Sequence, residues 1–352
     1  MSPSPGGVGR YAAKLAGGLA SLGAEVRAVV ARHSDEQVRK AWQEAGLSGA
    51  VPLPRVMPLA RPVLYDCWHL FGWPQVGKGA DVVHAPSLAV PPKGGQPLVV
   101  SIHDAGPWIW PEAFGFRGRW FHATGARAAA RRADLVLTGT QAAADELVKY
   151  LRLPSERLRV VPYGADPPTA PDPGTLRRYG LEGRPYVLWV GSLEPRKGVT
   201  TLVEALARLP DAHRPLLVLA GYQGWKMPAP TGPGVVRLGK VTDPELQALY
   251  AGAVAFCFPS RHEGFGLPVV EAMAAGVPVV ASDIPAIREV AGGAAQLVPP
   301  GDAARWAEAV QAAICLSPAE RERVVEAGRR RAGEFTWTAT AARTLEVYRQ
   351  LV

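Results

Sequence analysis

Short apolar runs alternate with longer amphipathic segments along almost the whole chain. A strand-length apolar run followed by helix-period patterning predicts parallel strands covered on both faces by helices. In the first half the pattern predicts strands over 25–31, 81–85, 97–103, 134–139 and 158–164. Helices fall near 8–22, 118–132 and 141–152, with Gly23 closing the first of them. A stretch with four prolines, 167–175, then breaks the rhythm, because proline fixes φ and lacks a donor. Beyond it the rhythm restarts, with strands over 186–191, 215–221, 235–239, 253–258, 277–282 and 294–299. Helices follow near 199–209, 243–252, 268–275, 303–315 and 318–332, and a last amphipathic helix spans 337–352. The expected fold class is α/β: two doubly wound, Rossmann-like parallel-sheet domains, 1–170 and 171–336.

The glycines Gly6, Gly7 and Gly9 lead directly into the first predicted helix. A doubly wound domain places a strand before such a loop, and no strand-like residues precede this one. The expectation is a first domain lacking its first strand, or a gene start that lies upstream.

At 352 residues the chain exceeds what one core ordinarily holds, in keeping with two domains. An apolar share of 48% against 20% charged argues against a disordered chain. Cys67, Cys257 and Cys315 are far apart, show no metal or redox spacing, and fit a reducing compartment. No secretory leader is evident, and no run nears the roughly 20 apolar residues that span a bilayer. A cytoplasmic location is therefore expected. The net charge is +8, with 19 basic against 13 acidic residues through Asp166 and 20 against 18 after it. Part of the excess clusters at Arg117, Arg119, Arg127, Arg131 and Arg132, several of which can share one helix. That cluster is consistent with a solvated helix face, or with peripheral contact to an anionic membrane or lipid-phosphate acceptor. Nucleic acid is disfavoured, since no aromatic stacking pattern or recognition motif accompanies the arginines.

The segment richest in chemistry is 261–282, RHEGFGLPVVEAMAAGVPVVAS. A buried strand ends near Pro259, a loop with Gly264 and Gly266 follows, Pro268 suits a first helical turn, and Gly276 suits its end. Loops at the carboxyl ends of parallel strands are where open α/β sheets bind ligands, and amides at a helix start suit phosphate or sugar oxygens. Glu263 on that loop can bond sugar hydroxyls or offset positive charge at an anomeric carbon. Glu271, about a turn into the helix, can bind both hydroxyls of a ribose. A second segment, 190–199, places Arg196 and Lys197 after another strand, where two cations beside helix amides form a diphosphate site without a metal. His103 and Asp104 close the strand at 97–103, facing the presumed interdomain cleft. His84 reads as structural, His262 has a weaker case, and the Gly6–Gly9 loop alone is a weak signal.

With these residues in view, HEGFGLPVVEAMAAGVPVVAS, VGSLEPRKG and GGVGRY together resemble the retaining glycosyltransferases of family 4, also called glycosyl transferases group 1. SIHD, VPYGAD and a terminal FTW helix fit the same order, so the resemblance covers essentially the whole chain. It is nearest to bacterial enzymes of O-antigen and exopolysaccharide assembly, many of them mannosyltransferases using GDP-mannose. The resemblance implies the GT-B fold, two Rossmann-like domains facing a cleft with the last helix, 337–352, crossing back to the first. It implies that Arg196 and Lys197 hold a donor diphosphate and Glu271 the ribose. Glu263 with the amides of Gly264, Phe265 and Gly266, and Leu267 beside them, would hold the sugar. His103 would lie by the transferred hexose, and Gly7 would approach the diphosphate. Retention of configuration without metal or cofactor follows, with the acceptor a glycan or a lipid-linked sugar. Two positions depart from the family: Tyr163 stands where an Asn is usual, so no role is carried onto it, and Gly139-Thr140-Gln141 replaces Val-Ser-Glu.

Other functions remain open on the same fold. A sugar phosphorylase or a nucleotide-sugar epimerase would act with phosphate, or on the nucleotide sugar alone. A non-catalytic nucleotide-sugar-binding subunit is supported only by the absent strand. A nicotinamide dehydrogenase is poorly supported, since no G-x-G-x-x-G follows a strand.

Overall fold

A computed structural model describes residues 6–168, 171–222, 224 and 230–352. The chain divides into two compact units, Met1–Gly164 with Thr336–Val352, and Ala165–Phe335. The division falls short of residue 170, which lies outside the described residues.

The second unit holds one six-stranded parallel sheet. Its strands are β7 (Tyr186–Val190), β8 (Leu216–Ala220), β9 (Val235–Gly239), β10 (Ala255–Phe258), β11 (Val279–Ser282) and β12 (Gln296–Val298). They lie in the order β12-β11-β10-β7-β8-β9. The inner strands β7, β10 and β11 are almost wholly buried, as unbroken apolar runs covered on both faces must be. Only the edge strands β9 and β12 expose residues freely. Two helices start on capping boxes legible in the sequence: Thr242 with Glu245 opens Asp243–Gly252, and Ser317 with Glu320 opens Pro318–Ala332. The short helices Thr175–Arg178 and Pro285–Ala291 were not predicted. The first is a single turn that begins on the last residue of the proline-rich stretch; the second is only seven residues long.

The first unit is more broken up. Strands β3 (Val83–Ala85), β4 (Leu98–Ser101), β5 (Leu135–Thr138) and β6 (Leu158–Val160) form a parallel sheet in chain order. A separate parallel pair joins β1 (Val29–Val30) to β2 (Arg55–Val56). The strand predicted over 25–31 is therefore reduced to two residues, and β2 was not foreseen, because neither segment carries a buried apolar run. Also unforeseen are helix Asp35–Glu44 and helix Arg61–Asp66 with its wider-wound continuation Cys67–Phe71. The first described element is helix Gly7–Ser21. Gly7 and Gly9 thus belong to its opening turns rather than to a loop, with Gly6 as the cap.

Helix Trp337–Arg349 belongs to this first unit and packs on helix Gly7–Ser21, where a Cβ on Gly18 would lie 2.8 Å from the Ala341 methyl. Its first turn also presses on Gly164: a Cβ there would lie 2.1 Å from the Trp337 nitrogen. The Thr340 hydroxyl ties the helix down further by donating to the Pro162 carbonyl over 2.8 Å. Gly164→Ala should therefore destabilise the first unit by about 1–3 kcal/mol. Denaturant unfolding of the variant at an unchanged midpoint would disprove this close packing.

Candidate active site

In the second unit, β7 and β10 are sheet neighbours although a long stretch of chain separates them. The strand order reverses between them, and in such sheets the ligand crevice opens at the carboxyl ends on either side of that point. The loops leaving β7 and β10 consequently run side by side, with the Arg261 amide donating to the Arg196 carbonyl over 2.8 Å. Gly198, at φ +66°, permits the approach: a Cβ there would sit 2.0 Å from the Pro259 carbonyl oxygen.

These two loops bring four charged side chains together. Lys197 Nζ donates to Glu263 Oε1 over 2.6 Å and lies 5.6 Å from the centre of the Phe258 ring. Arg196 Nε donates to Glu194 Oε2 over 3.0 Å, its Nη1 donates to the His262 carbonyl over 3.3 Å, and Nη1 stands 3.8 Å from Glu263 Oε2. The Ser192 hydroxyl donates to the other oxygen of Glu194. All four side chains are largely buried, and a buried charge is tolerated only when paired and hydrogen-bonded. Burial works to raise the Glu263 carboxyl, but Lys197 and Arg196 outweigh it and hold the group below its ordinary range, so it is ionised.

Glu271 sits on helix Leu267–Ala275, which follows the same β10 loop. It is 5% exposed and accepts a hydrogen bond from the Tyr250 hydroxyl at 3.2 Å. The loop turns into that helix through Gly266 at φ +95°, where a Cβ would lie 2.4 Å from Ile287 Cδ1. The Phe265 ring is buried edge-on against Phe335, so this residue offers the site its backbone and not its side chain. Arg196, Lys197, Glu263 and the run Gly264–Leu267 thus gather on adjoining loops, with Glu271 on the next helix. Glu194, Ser192 and Tyr250 were missed in the sequence. Glu194 lies within the quoted VGSLEPRKG, yet only its burial between a hydroxyl and a guanidinium reveals its part. Among the described residues, no group of three or more His, Cys, Asp or Glu side chains could hold a metal ion.

His103 and Gly7 belong to the first unit. His103 lies beyond β4. Its Nε2 is 3.0 Å from the Pro86 carbonyl, which can only accept, so Nε2 carries the proton. Nδ1 then accepts from the Tyr163 hydroxyl at 2.7 Å. Burial pushes the His103 ring below the usual histidine value, against the opposing pull of the Pro86 carbonyl and Asp104. Burial raises the Tyr163 phenol well above its ordinary value, so it stays a donor. Tyr11 packs edge-on to His103, with centroids 4.9 Å apart, and its hydroxyl bonds Ser101 at 2.8 Å. Ser101 also bonds His84 Nε2 at 2.8 Å, and His84 Nδ1 bonds the Tyr348 hydroxyl. His84 is thus an interior residue of a hydrogen-bonded network, whereas Tyr163, given no role from the sequence, donates to the His103 nitrogen that carries no proton.

The β7–β10 arrangement places two cations and two carboxylates at the ligand crevice of a Rossmann-like sheet. Residues 184–315 match the family described as glycosyl transferases group 1, and residues 5–168 match glycosyltransferase family 4. The chain is 30% identical over 288 residues to O-antigen chain mannosyltransferase B of Escherichia coli, a match covering 77% of this chain and 74% of that one. It is 36% identical over 241 residues to the MMP alpha-(1->4)-mannosyltransferase of Mycolicibacterium hassiacum, covering 63% of this chain and 56% of that one. The crystal structure of Anabaena HepE in complex with UDP and glucose superposes with a TM-score of 0.75 at 20% identity, covering 99% and 97% of the two chains. That likeness shows the fold, GT-B. The chain belongs to the family 4, group 1 glycosyltransferases and is a glycosyltransferase.

Two predictions follow the histidines. Burial, and secondarily His103, pushes His84 down to about 3 from an ordinary 6.5. Between those values the unfolded chain binds a proton that the folded chain refuses. Stability is therefore full above about pH 6.5 and falls as pH drops toward 3, by up to about 1.4 kcal/mol per pH unit. Denaturant unfolding at about pH 7 and pH 5 checks this, with His84→Gln expected to flatten the slope. Tyr163→Phe removes a hydrogen bond that favours the neutral His103 ring, so the His103 titration followed by NMR should move upward; an unmoved midpoint would contradict the tautomer assignment.

Proposed function

We propose that the second unit binds a nucleoside-diphosphate hexose, with GDP-mannose the first choice, and that the enzyme passes the hexose to a glycan or lipid-linked acceptor with retention of configuration. The observation that carries this reading is the buried cluster of Arg196, Lys197 and Glu263 at the strand-order reversal. Diphosphate oxygens would compete with Glu263 for Lys197, and with the other anions for Arg196. Both cations would then stabilise the negative charge that gathers on the leaving diphosphate as the glycosidic bond breaks. Two fixed cations supply the charge for which other transferases use a metal, so the proposed reaction needs none. Glu263, released from Lys197, would face the sugar with the Gly264–Leu267 backbone, and Glu271 would accept hydrogen bonds from the ribose hydroxyls. Phosphate oxygens of the departing diphosphate would help take the acceptor proton on the same face. The part proposed for His103, contact with the hexose, rests on its place beyond the carboxyl end of β4, and that for Gly7, contact with the diphosphate, on its place in the first turn of a helix. Mannose is favoured by the names of the two relatives described above.

The purified protein should gain thermal stability selectively with one nucleotide sugar, without added metal; a hundredfold excess over Kd corresponds to about 2.7 kcal/mol. Lys197→Ala should lower turnover by about a hundredfold or more, and Glu271→Ala by about tenfold or more, with circular dichroism unchanged. A folded Lys197→Ala enzyme that keeps near-normal turnover would refute the donor-site assignment. Turnover of the nucleotide sugar alone, or with phosphate, would refute transfer to a saccharide acceptor.

A further inference from the structure

Helix Phe116–Arg132 of the first unit carries five arginines and no acidic residue. Phe116, Trp120, Arg127 and Arg131 follow one another at spacings of four, seven and four, so they lie along one helical stripe, and all four are exposed. Alongside this helix runs the segment Arg61–Phe71. Arg117 pairs with Asp66 near the start, and Arg132 donates to the Trp68 and His69 carbonyls at the far end. That segment ends on Phe71, 76% exposed, followed by Trp73, 58% exposed. Among the described residues every Phe or Trp counted as exposed falls on these two neighbouring segments: Phe71, Trp73, Phe116 and Trp120. Large aromatic rings left in water need a reason, and here they stand among cations. Arg117 and Arg132 are spoken for by internal contacts. Arg119, Arg127 and Arg131 have no carboxylate within ion-pair distance among the described residues.

We infer that this surface is an interfacial docking site for a bilayer bearing anionic headgroups. Trp and Phe rings favour the headgroup–acyl boundary, where an apolar body meets a polar rim. Unpaired arginines add attraction to lipid of net negative charge that zwitterionic lipid does not offer. Five arginines with no acidic residue on the helix favour a uniformly negative interface over a protein partner, whose surface charges are mixed in sign. Among the described residues no helix is long and apolar enough to cross a membrane, so the contact is peripheral. The surface shares no residue with the donor site, and the two readings stand or fall separately.

The test is co-sedimentation of the full chain with phosphatidylcholine vesicles, and with vesicles containing about 30% phosphatidylglycerol, at low and moderate salt. The wild type should bind the anionic vesicles at least about tenfold more tightly. Phe71→Ser with Trp73→Ser should weaken that binding about tenfold while keeping its salt dependence. Arg127→Gln with Arg131→Gln should remove about tenfold of the anionic preference and reduce the salt dependence. Both variants change exposed side chains, so circular dichroism and the nucleotide-sugar thermal shift should match the wild type. Equal binding to both vesicles, no binding to either, or variants that bind as the wild type does would each overturn the inference. So would a change in oligomeric state of the aromatic variant without a change in vesicle binding, which would place the patch between copies of the chain.

Discussion

The reversal of strand order between β7 and β10 is the constraint on which the chemistry of the second unit depends. A sheet wound outward from a central strand in both directions must leave two loops adjoining at its middle, because successive crossovers pass to opposite faces. Here those loops are the ones that carry Arg196 with Lys197 and Glu263 with its glycines. Nothing in the local sequence of either loop refers to the other, yet the sheet leaves them bonded backbone to backbone. Gly198 and Gly266 are the local concessions that this closeness demands, one against a carbonyl oxygen and one against Ile287.

Charge is arranged with equal economy. Two cations and two anions lie within one largely buried cluster, and Ser192 and the His262 carbonyl take up hydrogen-bonding capacity left over by the ion pairs. Such a cluster stays folded because every charge has a partner, while an arriving anion can exchange partners without leaving a bare charge in a dry environment. The first unit shows the uncharged counterpart. His84 and His103 are held neutral by burial, and their ring nitrogens are occupied by hydroxyls and a carbonyl. One unit therefore stores polarity as balanced ions and the other as oriented neutral dipoles.

The second unit was read well from its sequence because its strands are continuous apolar runs and its helices begin on recognisable caps. Helices 243–252 and 318–332 follow their capping boxes to the residue. The first unit was read less well. Strands β1 and β2 are two residues each and only partly buried, so they leave almost no periodic signature. At the candidate site, charged residues flanked by glycines could be found by position, and Arg196, Lys197 and Glu263 do come together. Glu194, Tyr250 and Tyr163 could not be found that way. A carboxylate, or a phenol in an apolar run, reads the same whether it faces water or is bonded to a buried guanidinium, carboxylate or imidazole. The exposed rings of Phe71 and Trp73 were invisible for the opposite reason, since an aromatic residue in a sequence is expected to be buried.

The network that joins Tyr348 to His84 also sets an order of events during synthesis. Those residues are separated by 264 positions, and the whole second unit is translated between them. The nascent second unit has its complete set of strands once residue 335 has emerged. The first unit, although made first, must wait for the last turns of the chain before its opening helix gains the partner that covers it. Until then the apolar side of helix Gly7–Ser21, with Tyr11, Leu15 and Leu19, lacks the helix that packs on it in the finished protein. The unit that is translated first is therefore the last to close, and loss of helix Trp337–Arg349 would spare the second unit while stranding the first.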